Sequence, residues 1–173
     1  MLGRLETVPA ARRPDLLAAP VAAALSHLPT AEVAEIDPAL ADTAALCAAY
    51  DLPLGTAANC VVVTGRRGDV VRHAACVVLA TTRADVNGLV RRRLDARKAS
   101  FASTDFAVEV SGMEYGGITP IGLPVDWLLL IDAAVASTPI VVVGSGLRRS
   151  KLVVPGAALA DLPHAEVVDG LGR

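Results

Sequence analysis

Residues 98–124 read "KASFASTDFAVEVSGMEYGGITPIGLP". The stretch passes through three kinds of backbone in turn. "KASFA" (98–102) reads as a short strand, and "STDFAVEVSG" (103–112) as a short helix that stops at Gly112. "EYGGITPIGLP" (114–124) then places three glycines and two prolines between apolar runs. A loop so stiff and bare displays backbone rather than side chains. Gly116 and Gly117 let the chain turn and let a ligand approach closely. Pro120 fixes its own φ and presses Thr119 toward an extended conformation. Successive N–H groups then point at one acceptor, as in an oxyanion hole. An ordinary turn between a helix and a strand uses the same residue types, and spacing alone does not separate the two readings.

The segments on either side set the architecture. Upstream, "NCVVVTG" (59–65) and "DVVRHAACVVLA" (69–80) form a hairpin across "RRG", with Gly68 supplying the turn. "TTRADVNGLVRRRLDA" (81–96) reads as a helix capped by Thr82. "DPALADTAALCAAY" (37–50) is the clearest helix, with Asp37 as cap and Pro38 at its first position. Before it, "AEVAEI" (31–36) alternates weakly as a strand, and a helix near 15–27 is kinked or restarted at Pro20. Downstream, "DWLLLID" (126–132), "TPIVVVGSG" (138–146) and "SKLVVP" (150–155) are β-like. "GAALADL" (156–162) is a short helix and "AEVVDG" (165–170) a last strand. Strands and helices alternate irregularly, with hairpins among them. The fold class is mixed α/β, with a mixed sheet and helices packed outside.

Composition bounds the rest. The 173 residues suffice for one structural domain, and a second core is not expected. Apolar residues make up 53% but aromatics only 3%, so Ala, Val and Leu must build the core. The net charge of −2 argues against coating nucleic acid by bulk charge and leaves room for a local basic patch. Cys47, Cys60 and Cys76 are odd in number and lack C-x-x-C spacing. Neither a disulfide framework nor a zinc site is expected, no metal or cofactor is implied, and a reducing cytoplasm fits best. Glu6, Asp15, Pro20 and His27 interrupt the alanine-rich start, so it does not read as a signal segment. No segment approaches the ~20 apolar residues that span a bilayer, so no membrane partner is expected.

Two further motifs bear on function. "VVVGSGLRRSK" (141–151) lacks the spacing of a phosphate loop, and a strand follows where a helix should open. It reads as a hairpin with a basic turn. "RRRLDARK" (91–98) concentrates cations at a helix end. A solvated helix end is the plain reading. A phosphate-contacting patch of Arg91, Arg92, Arg97 and Lys98, extended by Arg148, Arg149 and Lys151, is the sharper one. His27, His73 and His164 are isolated, and no activating partner can be named for Cys60.

The segments taken together, "KASFASTDFAVEVSGMEYGGITPIGLP", "LLLID", "VVVGSG" and "KLVV", resemble the YbaK family over roughly residues 40–160. That family is also called the prolyl-tRNA synthetase-associated editing domain family. The resemblance implies a single mixed α/β domain with a mostly antiparallel, partly barrel-like sheet. It places the editing domain at 37–173, with residues 1–36 as an extension packed on it. Members hydrolyse the ester of a wrongly charged aminoacyl-tRNA, often alanine or cysteine on proline tRNA, without a cofactor. The implied partners are the acceptor end of aminoacyl-tRNA and an aminoacyl-tRNA synthetase. Gly116, Gly117, Ile118, Thr119 and Pro120 match the Gly-x-x-x-Pro loop that orients the aminoacyl carbonyl. Asp132, Gly144, Ser145 and Gly146 match positions that line the substrate pocket. In one place the chain departs from the pattern. Where members carry Lys-Thr at the start of a strand, it carries Asn59 and Cys60. Asn59 can position an ester or a water but brings no positive charge. The resemblance thus leaves two activities in view, a deacylase in which Asn59 takes over positioning, and a protein that binds aminoacyl-tRNA or an aminoacyl-like molecule without hydrolysing it.

Overall fold

The computed structural model describes residues 2–173. Nine strands, β1 (Val8–Pro9), β2 (Glu32–Glu35), β3 (Ala58–Arg67), β4 (Val70–Leu79), β5 (Lys98–Phe101), β6 (Leu128–Asp132), β7 (Val141–Gly144), β8 (Ser150–Val154) and β9 (Ala165–Val168), form two sheets among these residues. One is antiparallel throughout, in the order β1-β2-β8-β7. The other runs β5-β3-β4-β6-β9, antiparallel across β5-β3-β4 and parallel across β4-β6-β9. The chain is therefore a mixed α/β domain. Its two sheets are joined at a parallel bridge between Ala57 and Val142. The junction forms there because β5 pairs only with Val63–Arg66 of β3, which leaves the start of β3 free to meet β7.

Period-two alternation sorts the side chains into layers. Val141, Val143, Leu152 and Val154 face the main core between the sheets, where they meet Val62, Ala75, Val77, Leu129 and Ile131. Val142 and Val153 face outward and are covered by helix α2 (Thr43–Tyr50) through Leu46 and Cys47. On the far side of the five-stranded sheet, Val63, Cys76, Val78 and Leu130 are covered by Val86, Val90 and Leu94. Burial on both faces suits the apolar run of β7 and the apolar end of β8, Leu152–Val154. Residues before 37 supply β1, β2, helix α1 (Ala19–Ala24) and the buried side chains of Leu16, Val21 and Leu28.

Two expected helices are built differently. Asp37 caps only a single 3-10 turn, Pro38–Leu40, and Asp42 caps α2 by accepting from the amides of Ala44 and Ala45. Likewise Asp85, not Thr82, accepts from Gly88 and Leu89 to start a π-turn at Val86–Val90, which continues into α3 (Arg91–Arg93). Helix α4 (Thr104–Ser111) stops at Gly112, whose φ is +68°. Two short helices, α5 (Ala133–Ala136) and α6 (Gly156–Ala160), pack beside β6 and β9. Of these, α5 has no readable signal in the sequence, and neither has the two-residue β1. No helix among the described residues is long and apolar enough to cross a membrane.

Candidate active site

The loop after α4 is fastened to the turn between β7 and β8. Glu114 N–H donates to the Gly146 carbonyl at 2.8 Å, and Gly146 N–H donates to the Gly117 carbonyl at 2.7 Å. The Glu114 carboxylate accepts from Arg148 N–H at 2.8 Å. The Arg148 guanidinium donates to the Tyr115 carbonyl at 3.0 Å, and Lys151 Nζ to the Gly116 carbonyl at 3.2 Å. Three successive carbonyls, those of Tyr115, Gly116 and Gly117, are thus held by the hairpin. In a trans peptide the next N–H points away from the carbonyl. The amides of Gly116 and Ile118 consequently face away from the groups that hold the loop, and no hydrogen-bond acceptor for either is found among the described residues. Close approach is what the glycines provide. A Cβ on Gly144 would lie 2.3 Å from the Gly117 carbonyl oxygen, and one on Gly117 would lie 2.7 Å from the Leu147 backbone. Gly116 itself sits at φ +82°, which favours glycine.

Beside the loop opens a cleft of about 270 Å³, lined by Asn59 and Cys60 from β3, Gly116 and Ile118 from the loop, Gly144 from β7 and Lys151 from β8. Asp42 and Thr43, at the start of α2, and the exposed ring of Tyr115 complete its wall. Thr43 Oγ1 donates to Asn59 Oδ1 at 2.6 Å. Cys60 lies against the main core, and burial pushes its thiol well above the ordinary cysteine range, which makes it a poor nucleophile.

Sequence reasoning misplaces Lys151. Expected on a surface patch, it is 5% exposed. Its strand is the reason. β8 lies between β2 and β7, so Lys151 sits between Ala34 and Gly144 on a strand covered on both faces. Its ammonium donates to the carbonyls of Ala41 at 3.0 Å and Gly116 at 3.2 Å. Burial, with the Arg148 charge next in weight, lowers its pKa to about 8, against opposing contributions from Asp42 and Cys47. The readable signal is the alternation in "SKLVV", which puts Lys151 on the same face as Val153.

Other expected site residues lie elsewhere. Gly117 N–H is spent in a turn to the Glu114 carbonyl, so it is not a free donor. Thr119 is fully buried, its hydroxyl without a partner among the described residues, and does not line the cleft. Pro120 lines a separate apolar cavity of about 220 Å³ with Trp127 and Leu129. Ser145 is buried against Ser150, Oγ to Oγ at 2.8 Å, within the β7–β8 turn, and Gly146 docks the loop. Asp132 lies away from the cleft, accepting from Gly172 N–H at 3.1 Å. His73 stacks on Phe106 at 4.5 Å and bonds Thr64, a packing role.

The basic residues divide. Arg91, Arg97 and Lys98 join Arg66 and Asn87 in one open groove along β5. Arg92 does not line it, Arg148 is committed to the Tyr115 and Pro38 carbonyls, and Arg149 donates to the Asp15 carbonyl. Among the described residues no three His, Cys, Asp or Glu side chains gather as a metal site requires.

The model of the aminoacyl-tRNA editing domain family matches residues 37–162. No match is found among curated proteins. Among solved structures, a protein proposed as a trans-editing enzyme for prolyl-tRNA synthetase shares 22% identity at a TM-score of 0.72, over 96% of this chain and 98% of its own. A scaffold protein used for epitope backbone grafting shares 21% at a TM-score of 0.74, over 90% and 97%. The hypothetical protein APE2540 shares 19% at 0.72, over 83% and 92%. At such identities these likenesses concern the fold, and it is the family match, spanning the strand of Asn59, the glycine loop and the β7–β8 hairpin, that makes this chain a member of the aminoacyl-tRNA editing (YbaK) family.

Proposed function

We propose that the protein is an aminoacyl-tRNA deacylase that removes a small amino acid, of the alanine or cysteine type, from a mischarged tRNA such as proline tRNA. The observation that carries this reading is that several donors with no acceptor among the described residues border one cleft. The amides of Gly116 and Ile118 and the side-chain amide of Asn59 border a space of about 270 Å³ beside the small side chains of Ala57 and Ala58. In the reaction, water oxygen bonds to the acyl carbon and the carbonyl electron pair moves onto oxygen. The bond to the ribose oxygen then breaks, and the proton from water ends on that oxygen. The products are the free amino acid and a tRNA with a free terminal hydroxyl. Donors aimed beforehand at the developing oxyanion are worth about 3 kcal/mol each.

The substrate's single-stranded end is proposed to run along the open β5 edge. Phe101, 62% exposed, pairs with Val63. That is four residues along β3 from Asn59, or roughly 13 Å. Lys98 pairs with Arg66, roughly 23 Å from Asn59. A base stacked on Phe101, followed by phosphates among Arg66, Arg91, Arg97 and Lys98, fits how proteins hold single strands. A synthetase partner and a cytoplasmic setting accord with such a role.

The test is a panel of tRNAs charged with alanine, cysteine, serine or proline. Hydrolysis of a small mischarged ester that falls at least tenfold in Gly116→Val supports the reading. Binding across the panel without turnover would instead make this a non-hydrolytic aminoacyl-tRNA binder, the role that a neutral Asn59 in place of lysine favours.

A further inference from the structure

We propose that Lys151 is the cation of the cleft: from β8 it supplies, to the acyl oxygen, the positive charge that Asn59 does not bring from β3. The inference rests on the deacylase reading for its substrate and on separate observations for its geometry. An ammonium has three N–H donors. Two are taken, by the carbonyls of Ala41 and Gly116, and no carboxylate pairs with Lys151 among the described residues. The third remains, and Lys151 lines the same cleft as Asn59. A buried charge held by carbonyl dipoles alone is costly and calls for an anionic or strongly polar partner. Its strand partner Gly144 has no side chain, which lets the carbonyls of the glycine loop close in beside it.

The two carbonyl contacts give the lysine a second effect. They tie the glycine loop to Ala41, just ahead of α2, so that the charge and the free loop amides are fixed relative to each other. Titratable and charged groups surround it on every element of the cleft: Asp42 and Cys47 on α2, Arg148 on the hairpin turn, Tyr115 on the loop and Cys60 on β3. Protonated Lys151 stabilises the oxyanion as it forms, and the step needs no proton from it. Activity should therefore fall as the amine loses its proton near pH 8.

Two readouts test the assignment. In single-turnover hydrolysis, Lys151→Met should lower kcat at least tenfold with KM changed less than threefold, and should abolish the fall in rate near pH 8. Adding Asn59→Lys to Lys151→Met should recover much of the loss. The second readout needs no turnover. It compares binding of an adenosine aminoalkyl-phosphonate ester, anionic like the oxyanion, with that of the neutral 3′-amide analogue. The native protein should favour the phosphonate at least tenfold, Lys151→Met should lose that preference, and the double variant should regain it. An unchanged preference in a folded Lys151→Met protein, or no preference in the native one, overturns the proposal. If the native protein hydrolyses no ester but keeps a lysine-dependent preference, the deacylase reading falls and the role of Lys151 stands.

Discussion

Thr43 Oγ1 donates to Asn59 Oδ1 at 2.6 Å, which turns the asparagine into a donor. With its oxygen occupied, the side chain offers the cleft its two N–H bonds, and no acceptor for them is found among the described residues. Asn59→Ala removes the donors and should lower the hydrolysis rate about 100-fold, the scale of losing one oxyanion donor. Asn59→Asp should be at least as damaging, because a carboxylate there repels the developing charge. Thr43→Val frees the amide to rotate and should cost about tenfold. Single-turnover rates measure all three, and a native rate in Asn59→Ala would remove Asn59 from the mechanism.

The contact between Gly144 and the loop predicts a different failure. A Cβ at Gly144 would meet the carbonyl oxygens of Gly117 at 2.3 Å and Ile118 at 2.7 Å, and both are backbone atoms. Gly144→Ala must therefore displace the loop, at a cost of about 1–3 kcal/mol in stability and at least tenfold in hydrolysis. Gly68→Ala is the control. Gly68 has φ +57°, and a methyl group there would meet nothing within 4 Å, so its loss is conformational, about 1 kcal/mol, with hydrolysis unchanged. Thermal melts and rates on the two variants separate loop displacement from general destabilisation.

The hairpin of β3 and β4, the helix ending at Gly112 and the glycine loop can be read from sequence because each carries a local signal. Val- and Ala-rich runs flank a glycine turn, and helix stops and prolines punctuate the rest. Residues 37–50 mislead because Asp37-Pro38 and Asp42-Thr43 both look like helix starts, and an alanine-rich run has no period to choose between them. The site is legible where one segment makes it and illegible where the sheet makes it. Lys151 lies just beyond two arginines in sequence, and only its place between β2 and β7 turns it inward. Asp132 lies in the expected strand, yet its partner is Gly172, forty residues on, which no local pattern announces.

The β5 edge predicts how binding responds to salt. Each phosphate contact on a single strand contributes about 0.7 to the slope of log K against log salt concentration. Arg97→Ala and Lys98→Ala should each weaken tRNA binding and reduce the slope by about that amount. Phe101→Ala removes a neutral stacking surface, so it should weaken binding by about 1–3 kcal/mol and leave the slope unchanged. Filter binding between 50 mM and 200 mM salt (roughly the range over which such contacts are read) distinguishes the two classes. Equal slopes for all variants would place the tRNA elsewhere.

Burial of Lys151 also ties stability to pH. Its pKa falls from 10.5 to about 8 on folding. Between those values the unfolded chain holds a proton that the folded chain has released, so stability rises with pH through this window. Below pH 8 both states are protonated and the full penalty of burying the charge applies, about 3 kcal/mol at 1.36 kcal/mol per unit. Cys60 and Cys76 act the other way. Burial raises both thiols, so above about pH 9 the unfolded chain loses protons that the folded one keeps. The native curve alone therefore mixes opposing slopes, whereas its difference from Lys151→Met isolates the lysine. Denaturant titrations of both proteins from pH 7 to 10.5 should show native stability gaining on the variant by about 3 kcal/mol. A difference that stays flat would mean that the amine keeps an ordinary pKa, and with it a solvated position outside the cleft.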